Sequence, residues 1–155
     1  MVTLYCPQIE DLWFREQMLQ DEQTMSYNHA YGGTIPFPAE KWAAWHARWI
    51  SSHDKTHFYR YVAENGRFLG EIAYHFDTDR KIYLANVLIY APYRNRGYGR
   101  KSLQLLCDTA AEHGIDALFD DIAIDNPSVS LFKRFGFQEI FRTDEYILVK
   151  KDLNI

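Results

Sequence analysis

One stretch of the chain has the residue types and spacing to hold an anion. Arg94-Asn95-Arg96-Gly97-Tyr98-Gly99-Arg100 follows an aliphatic run, KIYLANVLIY (81–90), and leads into a helical pattern. Glycines at a helix start let several backbone N–H groups point one way, with the positive end of the helix dipole behind them, which suits a phosphate or pyrophosphate. A side chain at Gly97 or Gly99 would stand where phosphate oxygens must approach. Arg94, Arg96, Arg100 and Lys101 add positive charge to a chain in which 17 Lys and Arg face 21 Asp and Glu, a net charge of −4. That local reversal of sign asks for an anionic ligand. Neither GxxxxGK[ST] nor a GxGxxG after the first strand is present, so the common nucleotide fingerprints do not apply. The plain alternative is a tight strand-to-helix turn with solvated arginines.

The elements that must position this loop can be read from periodicity. Residues 2–6 form a short strand, and 8–20 alternate apolar and polar at helical spacing. A long polar connection, 21–38, with two glycines and two prolines follows. Trp42, Trp45 and Trp49 then mark one stripe of a helix, expected as core, with Pro38 near its first turn. The runs 57–64 and 67–76 flank Asn65-Gly66, the strongest two-residue hairpin signal. After the strand 81–90 and the loop, 100–113 read as a helix ending at Gly114. A strand at 115–124, a short helix from Pro127 and Ser128 to Phe135, and paired strands at 137–141 and 145–151 complete a mixed α/β sheet with helices against it.

The 155 residues form a single domain, 1–155, since no repeat or linker divides them. With 47% hydrophobic and 25% charged residues the composition is that of a globular chain. The absence of a long apolar run and of a basic leader predicts no membrane segment and a cytoplasmic location. The acidic balance argues against nucleic acid as a partner. Cys6 and Cys107 are expected as two buried reduced thiols, and neither they nor the His53/His57 pair has the spacing of a metal site, so no metal is expected.

Arg94-x-x-Gly97-x-Gly99 resembles the R/Q-x-x-G-x-G/A acetyl-CoA signature of the GNAT (GCN5-related) N-acetyltransferase family. Asn126-Pro-Ser-Val-Ser-Leu-Phe-Lys-Arg-Phe-Gly-Phe137 is similar to that family's N-x-x-A-x-x-L-Y-x-x-x-G-F segment. The two segments stand in the family's order, on matching elements. The resemblance implies an α/β (α+β) fold of the acyl-CoA N-acyltransferase type: a mixed, mostly antiparallel sheet with its fourth and fifth strands splayed and helices flanking it. It implies that the backbone of Leu88, Ile89 and Tyr90 pairs with pantetheine as a strand would, and that the amides of Arg94 to Arg100 hold the pyrophosphate. Asn126 is expected near pantetheine or substrate. The implied reaction is direct transfer of the acetyl group of acetyl-CoA, as cosubstrate, to a primary amine.

Such chemistry needs a base for the amine proton, a backbone donor for the oxyanion and a proton for the departing thiolate. Many family members use a Tyr for the last task, but here the position is Phe132, which has no proton to give. Water, Tyr90, Tyr98 or another hydroxyl must substitute, or the thiolate leaves unprotonated. Three acids compete for the base. Related N-terminal acetyltransferases carry a Glu five residues before the Asn. Counting from Asn126 gives Asp121, and counting from Phe132 gives Asp120, because this chain is one residue shorter between the two landmarks. Glu71 is the third. Strand alternation turns Asp120 and Asp121 to opposite faces, so at most one points inward. The family's acceptor loop corresponds to 21–38, which makes Tyr27, Asn28, His29 and Tyr31 the substrate-side candidates. A small-molecule amine is the expected acceptor. A peptide or protein N-terminus, and a catalytically weak acyl-CoA-binding or sensing module, are the alternatives. Exposed strands at the C-terminal end predict a homodimer.

Overall fold

The computed structural model describes residues 1–52 and 54–153; His53 lies outside them, and with it the His53/His57 spacing. The hairpin forms where predicted. β2 (His57–Glu64) and β3 (Arg67–Asp77) pair antiparallel about Asn65 and Gly66, whose φ values of 52° and 75° are the left-handed pair of a type I′ turn. β1 (Thr3–Tyr5) lies outside β2, and β4 (Ile82–Ile89) pairs antiparallel with β3. β5 (Ala117–Ala123) runs parallel to β4, while β6 (Gln138–Arg142) and β7 (Tyr146–Asp152) continue antiparallel, giving one seven-stranded sheet in the order β1-β2-β3-β4-β5-β7-β6. It is the mixed, mostly antiparallel sheet expected.

Helices cover both faces, with differences of detail from the sequence reading. Residues 9–11 make a separate tight turn before α1 (Trp13–Gln20), with the Asp11 carboxylate accepting from the Gln8 N–H. The tryptophan helix divides into a turn at Ala39–Lys41, α2 (Trp42–His46) and a wide π-type turn at Ala47–Ser51. Trp42, Trp45 and Trp49 are half-buried on the rim of the core rather than within it. α3 (Tyr98–Glu112) starts two residues earlier than predicted, which puts Gly99 and Arg100 in its first turn. α4 is Ser128–Phe135.

Two apolar clusters hold the layers together. On one face Leu103, Leu106 and Ala110 of α3 and Phe132 of α4 meet Ile72, Tyr74, Ala85, Leu118 and Ile122 of the sheet. On the other, Phe14 and Met18 of α1, with Met25 and Phe37, cover Tyr59, Tyr61, Ala73 and Leu88. Each large apolar side chain so buried contributes about 1.5–3 kcal/mol. Cys107 belongs to the first cluster, but Cys6 is exposed, which corrects the expectation of two buried thiols; it follows β1, the short strand at the sheet edge. No helix among the described residues is long and apolar enough to cross a membrane.

Candidate active site

The sheet opens in its middle. β4 and β5 share a single register pair, Leu84 with Phe119, and separate beyond it toward their C-terminal ends. Gly70 of β3 accounts for part of this course: a Cβ there would collide with the Leu88 carbonyl oxygen and crowd Ile89, so only glycine lets β4 pack so close to β3. The free edge of β4 can be assigned from one bond. Tyr90 N–H donates to Leu69 O at 2.9 Å, and antiparallel alternation then turns the N–H groups of Ile89 and Val87 toward the gap. The same alternation turns the polar groups of Leu88 toward β3. Tyr90 is also spent, because its carbonyl accepts from Tyr93 N–H. Of the three residues expected to pair with pantetheine, Ile89 therefore offers the open amide, and its carbonyl already accepts from Arg94 Nε at 3.1 Å.

The loop at the wide end of this wedge has the backbone expected of an anion cradle. Asn95 (φ 64°) and Gly97 (φ 85°) take left-handed conformations, and Gly97 stands at the N-terminus of α3 with nothing within 4 Å of a would-be Cβ. Asn95, Arg96, Gly97 and Arg100 are exposed. Three residues have duties other than the predicted ones. Arg94 turns inward and donates to the carbonyls of Ile89, Gln23 and Thr24, so its charge fastens the loop to the end of α1 instead of facing an anion. Tyr98 donates to Glu64 at 2.8 Å, which removes it from the wedge as a proton donor. A Cβ on Gly99 would stand 3.1 Å from Leu131, so its smallness serves the packing of α3 on α4. Thr24, fully buried, completes the fastening by accepting from Ala91 N–H; nothing in its sequence surroundings signals that role.

Three acids have different fates. Asp121 is exposed and ion-paired to Arg80 at 2.9 Å, so its carboxylate belongs to a surface pair. Glu71 is buried, 4% exposed, and saturated. Oε1 accepts from Arg15 Nη1 and the Tyr59 hydroxyl, each at 2.6 Å, and Oε2 accepts from Asn86 Nδ2 at 3.1 Å. Arg15 is in turn held over the rings of Trp45, Phe37 and Tyr59. Neither acid is placed to take a proton from a ligand. Asp120 differs: it follows Phe119 at the apex of the wedge, is half-buried, and has no cationic partner among the described residues. Burial, and then the neighbouring charge of Asp121, hold its carboxyl well above the usual carboxylate range. A carboxyl so perturbed in a cleft is the pattern of a general base.

The 21–38 connection contains a tight helical segment, Ser26–Tyr31, which the sequence reading left as loop. Tyr27 packs on the α1/α2 side, within the fields of Glu71, Arg15, Asp120 and Arg94; burial first, then Glu71, pushes its phenol up to about 12. Asn28 donates to Gly33 O and holds the loop itself, while Tyr31 is 83% exposed. His29 Nε2 lies 2.8 Å from Asp125 Oδ2. Since Gln23 and Thr24 are fixed to the β4–α3 loop and His29 reaches beyond the end of β5, the segment spans the open side of the wedge. Tyr90 packs against Phe14 and Tyr93. Asn126 Oδ1 accepts from Ser128 N–H at 2.9 Å, which ties it into the turn that leads into α4. Phe132, 2% exposed, packs on Phe137 in the core. Among the described residues no group of three or more His, Cys, Asp or Glu could hold a metal ion.

A family model described as the acetyltransferase (GNAT) family matches residues 13–137. No curated protein matches the sequence. Among solved structures, the chain is similar to spermidine N-acetyltransferase from Vibrio cholerae in complex with CoA and spermine, with a TM-score of 0.80 at 16% identity over 98% of this chain and 95% of that one. It is similar to an N-acetyltransferase from Staphylococcus aureus Mu50, with a TM-score of 0.76 at 20% identity over 99% of each chain. The ribosomal-protein-S18-alanine N-acetyltransferase from Escherichia coli gives a TM-score of 0.68 at 19% identity, over 100% of this chain and 96% of that one.

Proposed function

The chain belongs to the GNAT family of acetyltransferases, and on that premise we propose that it transfers the acetyl group of acetyl-CoA to a primary amine of a small molecule. The observation that carries this reading is a wedge with an amide-lined, glycine-containing loop at its wide end and, after Phe119 at its apex, the Asp120 carboxyl with no cation beside it among the described residues. The residues fit the cosubstrate. The Ile89 and Val87 amides offer an extended arm the hydrogen bonds that β5 does not take. The open space at Gly97 leaves room for phosphate oxygens before the α3 dipole.

Acetyl-CoA supplies an activated acyl carbon. Asp120 takes one proton from the acceptor ammonium, which frees the nitrogen lone pair. The C–N bond then forms, the C–S bond breaks, the sulfur leaves as thiolate with the bonding pair, and the second proton that the nitrogen must shed ends on that sulfur. A β4 amide facing the gap is placed to donate to the developing oxyanion. With Phe132 unable to donate and Tyr98 engaged, Tyr27, within the fields of Asp120 and Arg94, is the hydroxyl we assign beside the sulfur. Its phenol, pushed up to about 12, is a weaker acid than a thiol, so it donates a hydrogen bond to the departing sulfur rather than its proton.

The 23–29 strap favours a small acceptor over an extended peptide, because it limits the open side of the wedge. The acidic balance of the chain, a net charge of −4, favours a cationic one. The chain acts as a homodimer through β6, whose five residues are all exposed at the sheet edge, with Ile140 and Phe141 55% and 52% exposed. Release of free CoA thiol from acetyl-CoA, measured with spermidine, a small aromatic amine and an alanine-ended peptide, tests the reading. Turnover with a small amine is expected. Binding of acetyl-CoA without turnover of any acceptor would instead make the chain a binding module.

A further inference from the structure

Asn86 is half-buried on β4, two residues past the last β4–β5 pair and on the same face as Glu71 and Leu88. It therefore stands near the apex of the wedge, about 7 Å along the strand from Leu88. Its amide has a fixed polarity. The ionised carboxylate of Glu71 can only accept, so the group that meets Oε2 at 3.1 Å must be Nδ2. Glu71 itself cannot turn, since Arg15 and Tyr59 both hold Oε1. The other end of the Asn86 amide, Oδ1, then faces away from β3; it has no partner among the described residues and is not sealed from solvent.

We propose that Asn86 Oδ1 accepts a hydrogen bond from the acceptor amine and so aims its lone pair at the thioester carbon, with Glu71 acting through Asn86 as a positioning residue. The inference rests on the acetyltransferase reading above. It gives the buried Arg15–Glu71 pair a purpose beyond packing. A neutral primary amine keeps two N–H groups after Asp120 has taken one proton. One of them satisfies Oδ1 while the lone pair, on the other side of nitrogen, remains free to attack. An amide oxygen has too little basicity to remove a proton, so Asn86 orients the nucleophile and Asp120 deprotonates it.

The test uses the full chain with acetyl-CoA and whichever amine of the panel above turns over fastest. Asn86→Ala is expected to lower kcat/KM by about 10- to 100-fold, the cost of a misaimed nucleophile, with acetyl-CoA affinity within twofold of wild type. Glu71→Gln has a sharper consequence. Arg15 cannot accept, so it keeps the glutamine oxygen, and the new NH2 meets Asn86. That forces the Asn86 amide to flip and present a donor to the lone pair. Glu71→Gln should therefore cost a similar factor alone and nothing further in the Asn86→Ala background. The proposal is overturned if Asn86→Ala stays within twofold of wild type, if it weakens acetyl-CoA binding as much as it lowers kcat/KM, or if the two losses multiply. Should Glu71→Gln fail to fold, Asn86→Ala decides alone. Absence of turnover by the wild type on every amine would instead sink the acetyltransferase reading.

Discussion

Asp120 follows Phe119 into the apex of the wedge, whereas Asp121, one residue on, reaches out to Arg80 at 2.9 Å. The period of two along a strand decides their different chemistry. Replacing Asp120 by Asn should lower kcat/KM by about 100- to 10,000-fold and abolish the acidic limb of the pH–rate profile. That limb should lie above the usual carboxylate range, because burial raises the pKa of Asp120 and the base works only when ionised. The same substitution should stabilise the protein at pH 8. The folded-state pKa exceeds the unfolded one, so stability falls as pH rises between the two values, and above the folded pKa the full cost of the buried charge is present. Each pH unit of that elevation costs ~1.4 kcal/mol, so thermal melts of Asp120→Asn should exceed wild type at pH 8 and converge with it toward pH 4. Asp121→Asn should leave kcat/KM unchanged and stability within about 1 kcal/mol, as for a surface ion pair.

At the scale of elements, the loop 94–97 and the start of α3 act as one part with the end of α1. Arg94 joins them through three carbonyls and Thr24 through a fourth bond. Gly97→Glu should weaken acetyl-CoA binding by more than about 100-fold, since a carboxylate facing the pyrophosphate costs several kcal/mol. Gly97→Asn accepts the left-handed φ more readily and should bind far better, so isothermal titration of both separates charge and bulk from strain. Gly70→Ala probes the strand behind the wedge. Its methyl group meets the backbone of Leu88 rather than a side chain that could swing away, so β4 must shift. A stability loss of about 1–3 kcal/mol, accompanied by weaker acetyl-CoA binding, is expected in chemical denaturation and titration.

For the whole molecule, one end of the sheet is left open. β6 lies at the edge with every residue exposed, and Glu139, Lys133 and Arg142 form salt bridges around the apolar pair Ile140 and Phe141. An edge of that kind pairs readily with another copy about a twofold axis. Sedimentation should show a dimer that Phe141→Lys converts to monomer while the melting curve of the fold persists; a monomeric wild type would remove β6 as an interface.

The hairpin at Asn65-Gly66, the aliphatic strand before Arg94 and the glycine-punctuated start of α3 were legible because local sterics and hydrophobic period fix them within a few residues. The family signature followed from the same local features. What a side chain does once folded was not legible, since it depends on partners far away in the chain. Arg94 looks like a phosphate ligand until the carbonyl of Thr24, 70 positions away, accepts its hydrogen bond, and Glu71 looks like a base until Arg15, 56 positions away, neutralises it. The chain's own order thus dictated the left-handed turn and the helix start of the 94–99 loop. Only long-range packing, by choosing which charges are buried and with whom, left Asp120 without a cation beside it and Asn86 Oδ1 without a partner among the described residues.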